Sequence, residues 1–203
     1  TSEDHLETQI TTHGACMPNY EYFHIPGMDW LGRDIWNTTT ILQLTSAAQQ
    51  LGKKAVLSET FAMCGWDVSP SELKNIADYQ YSGGVNVTCQ HLYPYSIRGQ
   101  RKRDYPLHYS EYLPWQKHLK DFNLYYNHLG YMLSLGKEHA DTLVIHPIRH
   151  AYMYYNREFA GKSIETIERD FRNLSNALSG NQIAYHYGDE TIMEDMASVE
   201  GAT

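Results

Sequence analysis

Short apolar runs alternate along the chain with longer segments whose apolar residues recur at helical spacing. The runs predict strands at 19–25, 55–57, 85–91, 141–146 and 182–187, and the segments predict helices over 39–51, 70–82, 114–135 and 163–179. Strand–helix alternation implies parallel strands joined by right-handed crossovers. The expected fold class is therefore α/β, and the pattern fits both a five-stranded doubly wound sheet and part of a βα barrel.

The helix at 70–82 has the clearest start signal. The sequence SPSE at 69–72 is a capping box with proline at the first helical position, and Gly83-Gly84 ends the helix. Gly52 stops the preceding helix in the same way, and Ser163 is placed to cap the last one. These signals set the helix boundaries between which the strands must lie.

A carboxylate follows the second predicted strand. The run 55–57 leads into Ser58-Glu59, which places Glu59 at the carboxyl end of the strand, where chemistry sits in α/β folds. A cap on the next turn, or a pair with a lysine, is the alternative role for Glu59. The neighbouring predicted strands end on His24 and on Gln90-His91, which would share this edge of the sheet. Four further residues stand in the loops just beyond: Asp29, Trp30, Trp66 and Tyr93.

A carboxylate with imidazole, amide and aromatic neighbours is the set that cleavage of a glycosidic bond uses. One carboxyl group acts as nucleophile or base, a second acts as acid, and rings hold the sugar. The candidates for the second carboxylate are Glu3, Asp4, Asp29 and Asp67. The 17 Tyr, 11 His and 4 Trp, against 5 Phe, favour an amphipathic ligand such as a sugar, although half-buried packing accounts for many of these rings.

Charge and composition limit the classes of molecule that the chain can be expected to bind. The chain has 203 residues, of which 42% are hydrophobic and 20% charged, as in a globular protein of one large or two small domains. A net charge of −8, with a single basic cluster at 98–103, disfavours a nucleic-acid or anionic-membrane partner. No apolar run approaches the ~20 residues of a membrane span, and the first residues do not form a signal peptide. The cellular compartment therefore stays open.

Metal and cofactor signals are weak. The three cysteines, Cys16, Cys64 and Cys89, form no C-x-x-C motif and indicate neither a disulfide framework nor a zinc knuckle. There is no H-E-x-x-H helix, no glycine-rich phosphate loop and no G-x-S-x-G elbow. We therefore expect no cofactor and no transition metal, while calcium on oxygen ligands stays compatible with the sequence.

Three stretches resemble a known enzyme family. They are HIPGMDWLG at 24–32, SAAQQLGKKAVLSETFAMCGW at 46–66 and ADYQYSGGVNVTCQHLYPYSIRGQRKRDYP at 77–106. They are similar to the C-terminal half of the catalytic (β/α)8 barrel of large bacterial glycoside hydrolases. The resemblance is to glycoside hydrolase family 106, whose characterised members are α-L-rhamnosidases, and more distantly to the retaining clan that includes the β-galactosidases.

The resemblance implies that the strands ending on His24, Glu59 and His91 are barrel strands six, seven and eight. Residues 1–138 would then be the C-terminal part of the barrel, and 139–203 the beginning of a following, Rossmann-like α/β domain. Glu59 would be one catalytic carboxylate and Glu3, in the place of strand five, the other. Strands one to four are missing from this arrangement, so we expect a fragment of a larger secreted or periplasmic enzyme, completed by its remainder or by self-association.

The leading expectation is thus part of a glycoside hydrolase that cleaves a glycosidic bond, with an α-L-rhamnoside as the candidate substrate. Its sugar site would be lined by His24, Asp29, Trp30, Trp66, Gln90, His91 and Tyr93. One alternative is a non-catalytic carbohydrate-binding or structural piece. Another is a self-contained flavodoxin-like domain, which a strand order other than consecutive neighbours would favour.

Overall fold

The strands form two small parallel sheets. The structure is a computed structural model that describes residues 3–35, 38–156 and 160–201, with side chains at all of these except 160–163. Strands β1 (Gly27–Trp30), β2 (Leu57–Thr60) and β3 (Val87–Gln90) pair in the order β1-β2-β3, and β4 (Thr142–Ile145) pairs with β5 (Tyr185–Gly188). The α/β class is confirmed, and the first sheet has consecutive neighbours, which a barrel segment would also have. The described ranges do not close into a barrel.

The helices flank and connect these strands. The α-helices are α1 (Leu6–Thr8), α2 (Cys16–Asn19), α3 (Thr39–Gln50), α4 (Pro70–Ser82), α5 (Leu119–Ser134), α6 (Ile148–Tyr154), α7 (Ala160–Gly180) and α8 (Glu190–Met196). A π-helical turn spans Gln9–His13, and 3-10 turns span Tyr20–Tyr22, Gly99–Arg103 and Gln116–His118.

The predicted capping box at the start of α4 is confirmed. The Ser69 hydroxyl accepts the Glu72 N–H at 3.2 Å, and the Glu72 carboxylate accepts the Ser69 N–H at 2.9 Å. The helix predicted at 39–51 is α3. Two predicted helix starts were wrong: α5 begins at Leu119 after a 3-10 turn, and α7 begins at Ala160, so Ser163 lies within the helix rather than at its cap.

The strand predicted at 19–25 was wrong. Residues 16–22 are helical, because Tyr20 is buried in the core beside α3 instead of alternating with its neighbours on a sheet. The strand is β1, which begins at Gly27, so the exposed His24 precedes its amino end. The second strand was placed too early as well: β2 begins at Leu57, and Glu59 lies inside it.

Alternation along the strands gives the first sheet one covered and one open face. Met28, Trp30, Ser58 and Thr60 are buried on the covered face. Helix α4 reaches this face through a hydrogen bond of 3.0 Å from Gln80 Nε2 to Thr60 Oγ1. The open face carries the intervening residues, which are partly or fully exposed: Gly27, Asp29, Leu57, Glu59, Val87 and Cys89. Strand alternation therefore puts the two carboxyl groups and the thiol of the sheet on its open side.

The second sheet shares the hydrophobic core with the first. Val144, Tyr185 and Tyr187 belong to the same cluster of buried side chains as Met28 and Trp30. Gln50 at the end of α3 donates to the Tyr187 carbonyl at 2.7 Å, and the Tyr187 N–H donates to Ser46 at 3.0 Å. Helix α3 thus packs between the sheets. A domain boundary near 138 remains a prediction.

None of the helices in the described ranges has the length and apolar character needed to span a membrane.

Candidate functional site

A shallow groove of about 340 Å³ runs across the open face of the first sheet. Strand register places Asp29, Glu59 and Cys89 side by side, one on each strand. Glu3, from the segment before α1, lines the same groove. Three carboxyl groups and a thiol from four separate stretches of chain therefore meet on one surface.

Glu59 and Asp29 share a proton-dependent interaction. Their carboxyl groups stand side by side on neighbouring strands, where they can share a hydrogen bond when one of them carries a proton. Partial burial, the hydrogen bond to Asp29 and the Asp29 charge all raise the pKa of Glu59, while the imidazole of His91 opposes the change. Glu59 is thus the acid that holds a proton longer than an ordinary glutamate.

Glu3 contacts the edge of β1 that faces away from β2. Its carboxylate accepts the Asp29 N–H at 3.4 Å. Its backbone carbonyl accepts the side-chain amide of Gln43 at 3.0 Å and faces the thiol of Cys16 at 3.6 Å. The predicted pair of Glu3 and Glu59 is therefore brought to one groove, with Asp29 between them in the sheet.

Cys89 is the exposed cysteine of the three, since Cys16 and Cys64 are buried. Burial and the charge of Glu59 raise the pKa of the Cys89 thiol. Burial, chiefly, raises the pKa of Cys16 to about 12 and that of Cys64 to about 11. The groove thus contains a thiol whose ionisation responds to the carboxylate beside it.

His91 follows β3 at the carboxyl end of the sheet. Its N–H donates to the Thr60 carbonyl at 3.0 Å, and its ring lies 6.2 Å from the ring of Tyr105. Its Nδ1 is buried and makes no hydrogen bond within the described ranges. Loop 105–109 covers this end of the sheet, because Tyr105 and Pro106 accept the N–H groups of Met63 and Gly65.

Trp66 stands in the loop after β2 and is 41% exposed. Its ring meets the imidazole of His108 edge-on, with centroids 5.3 Å apart. His108 is buried, and neither of its ring nitrogens has a hydrogen-bond partner among the residues that the structure describes. Sequence patterns did not single out His108, because it lies in an irregular loop with no periodicity.

The structure does not bring the other predicted site residues into the groove. Trp30 is buried on the covered face, where its ring lies 5.9 Å from Tyr79. Gln90 points the same way and donates to Asn123 of α5 at 2.8 Å. His24 is exposed at the amino end of β1, and Tyr93 is 63% exposed in the loop after β3.

Two of the four candidates for a second carboxylate lie elsewhere. Asp67 is on the surface, in an ion pair of 2.5 Å with Arg33. Asp4 is buried, 3.9 Å from the ring of His5. The register between strands, which sequence does not reveal, selects Asp29 as the direct neighbour of Glu59. No cluster of three or more metal-ligating side chains occurs in the part of the chain that the structure describes.

Comparison with known proteins finds a likeness among solved structures. No protein-family model and no curated protein matches the chain. The structure of a rhamnosidase from Novosphingobium sp. PP1Y is similar to it, with a TM-score of 0.53 and 17% sequence identity. The similarity covers 87% of this chain and 17% of that chain, so the chain spans about a sixth of the rhamnosidase. At this identity the likeness concerns the fold alone.

Proposed function

We propose that the chain forms part of the catalytic region of a glycoside hydrolase that acts on an α-L-rhamnoside, with Glu59 as one of its two catalytic carboxylates. The observation that carries the proposal is the cross-strand pair of Glu59 and Asp29 on the open face of a parallel sheet. The fold likeness to a rhamnosidase supports the substrate class.

Glycoside cleavage needs one carboxyl group that carries a proton and one that does not. Glu59 suits the first role, because its surroundings raise its pKa and keep it protonated nearer to neutral pH. It would give its proton to the leaving oxygen. Glu3, in the same groove, is the proposed partner that attacks the sugar or activates water. A carboxyl separation of about 5 Å favours attack, and about 6.5–9.5 Å leaves room for the water.

The aromatic side chains beyond the carboxyl end of the sheet would hold the sugar. Trp66 and Tyr93 present exposed rings on which the C–H face of a sugar can stack. His91, half-buried at the same end of the sheet, would bind a hydroxyl group through the exposed part of its ring. Trp30 would not contact the sugar, because its ring is buried on the opposite face of the sheet.

The groove is open on two sides, beyond β1 and beyond β3. Within the described ranges β1 and β3 each pair with one strand only. Further strands, from the rest of the enzyme or from a second copy, would enclose the groove and exclude water from the carboxyl pair. We therefore propose that full activity belongs to the completed barrel.

The test is hydrolysis of methyl α-L-rhamnoside, whose alkoxide leaving group needs a proton, and of methyl β-D-galactoside for comparison, by the complete polypeptide that contains this chain. Glu59→Gln should lower kcat at least about 100-fold, since loss of a general acid typically costs 10²–10⁴-fold. Glu111→Gln, an exposed carboxylate outside the groove, is the matched control. Full activity in Glu59→Gln would show that the assignment is wrong. Calorimetric binding of rhamnose without turnover by the wild type would favour a carbohydrate-binding module.

A further inference from the structure

Glu168 of α7 binds the chain where α1 begins, at His5 and Leu6. One oxygen of its carboxylate lies 2.8 Å from His5 Nδ1, and the other accepts the Leu6 N–H at 3.2 Å. Arg172, one turn further along α7, donates to the same carboxylate at 2.8 Å. The carboxylate is mostly buried, with 17% of the side chain exposed. Charge-assisted hydrogen bonds of this kind are stronger than neutral ones.

The other end of this short segment is Glu3, at the groove. Only Asp4 separates Glu3 from His5, so an anchor at residues 5 and 6 limits where the Glu3 carboxylate can reach. Gln43 holds the Glu3 backbone carbonyl, which leaves the side chain directed to the Asp29 N–H. The segment is thus fixed at both ends, once by α3 and once by α7.

Helix α1 is too short to hold this position alone. It spans Leu6–Thr8, and helices of this length are unstable without tertiary contacts. Leu6 anchors it in a small apolar cluster with Ile148, Ala151 and Ile164. The carboxylate of Glu168 supplies the polar half of the anchor. It accepts the Leu6 N–H, the first of α1, which has no partner within the helix.

We propose that Glu168 is a positioning residue for Glu3, so that helix α7, which precedes β5, helps to shape the groove on the first sheet. Removal of the Glu168 carboxylate frees residues 4–6 and lets the Glu3 side chain leave the Asp29 N–H. The catalytic part of this inference rests on the proposed function; the structural part does not.

Nuclear magnetic resonance of the ¹⁵N-labelled chain tests the structural part. The Asp29 amide resonance reports the Glu3 carboxylate, and Glu3→Gln defines its position when that contact is lost. We expect Glu168→Ala to move the resonance to the Glu3→Gln position. Glu165→Ala, an exposed carboxylate on the same helix, should leave it unchanged.

An Asp29 resonance that stays at its wild-type position in Glu168→Ala overturns the proposal. Where Glu168→Ala fails to fold, Glu168→Gln replaces it: the amide keeps one acceptor for the Leu6 N–H but loses the charge that faces Arg172. It should move the resonance part of the way, and an unmoved resonance again overturns the proposal.

The catalytic part is tested with the complete enzyme and p-nitrophenyl α-L-rhamnoside. A displaced catalytic carboxylate should lower kcat about 10–100-fold with little change in KM. An Asp29 resonance that moves in Glu168→Ala while kcat stays unchanged would keep Glu168 as the anchor of Glu3 but remove Glu3 from the mechanism. Absence of turnover in the wild type would count against the proposed function and leave the resonance result standing.

Discussion

The charge of Glu59 should be measurable at the Cys89 thiol without any substrate. The two residues are register partners on neighbouring strands, and Glu59 raises the pKa of Cys89. Adjacent strands lie about 4.8 Å apart, so two charges at about 5 Å repel by about 0.8 kcal/mol in water-like surroundings. Glu59→Gln removes this repulsion, which corresponds to about fourfold more thiolate below the pKa of the thiol.

The rate of thiol modification rises less than the thiolate fraction. A thiolate of lower pKa is a weaker nucleophile, with a Brønsted coefficient of about 0.4–0.5, which reduces fourfold to about twofold. We expect Glu59→Gln to react about twice as fast as wild type with 5,5′-dithiobis(2-nitrobenzoic acid) at pH 8. Cys16 and Cys64 are buried, so the fast phase belongs to Cys89.

Salt provides the internal check on this reasoning. In 1 M salt the screening length falls to about 3 Å, shorter than the spacing of the two groups, and the acceleration should largely vanish. Glu111→Gln should react like wild type at every salt concentration. An unchanged rate in Glu59→Gln at low salt would refute the placement of Glu59 and Cys89 on one face of the sheet.

Three further predictions concern the scaffold. Gly130→Ala should destabilise the fold by about 1–3 kcal/mol, because its Cβ would lie 2.2 Å from the Asn86 carbonyl, whereas Gly180→Ala, with open space around it, should be near neutral in thermal melts. Ser69→Ala should cost about 1 kcal/mol in urea unfolding through loss of the α4 cap; an unchanged midpoint would contradict the capping role. Burial lowers the pKa of His146 from 6.5 to about 4, so between these pH values the unfolded chain binds a proton that the folded chain does not. The free energy of unfolding should therefore fall by up to about 3 kcal/mol as pH drops from 6.5 to 4, and His146→Leu should remove that dependence.

Local signals in the sequence predicted the start of α4 and the end of α3. The capping box at Ser69 and the glycine stop at Gly52 act over a few residues, so they hold regardless of the tertiary structure. The strand at 19–25 failed for the opposite reason. Its alternating tyrosines satisfy the pattern of a strand, but burial of Tyr20 against α3 decides the conformation, and that contact is not encoded locally.

The candidate site was predictable in its central residue and not in its arrangement. Position near a strand end identified Glu59, although the strand itself starts two residues later than the apolar run. The neighbour that tunes Glu59 is Asp29, which sequence placed in a loop. Which residues of separate strands stand side by side depends on register, and register follows from packing across the whole sheet. His108 was missed because no pattern marks a buried histidine in an irregular loop.

The contact between Glu3 and the outer edge of β1 also affects how the chain behaves in solution. An edge strand with free N–H groups is a template on which another chain can extend the sheet, and this is a common route to aggregation. At Asp29 that donor is occupied by a carboxylate, which an incoming strand would have to displace and dehydrate. Glu3 thus disfavours pairing of an unrelated strand with this edge, and Glu3→Val should make the chain more prone to aggregate at high concentration.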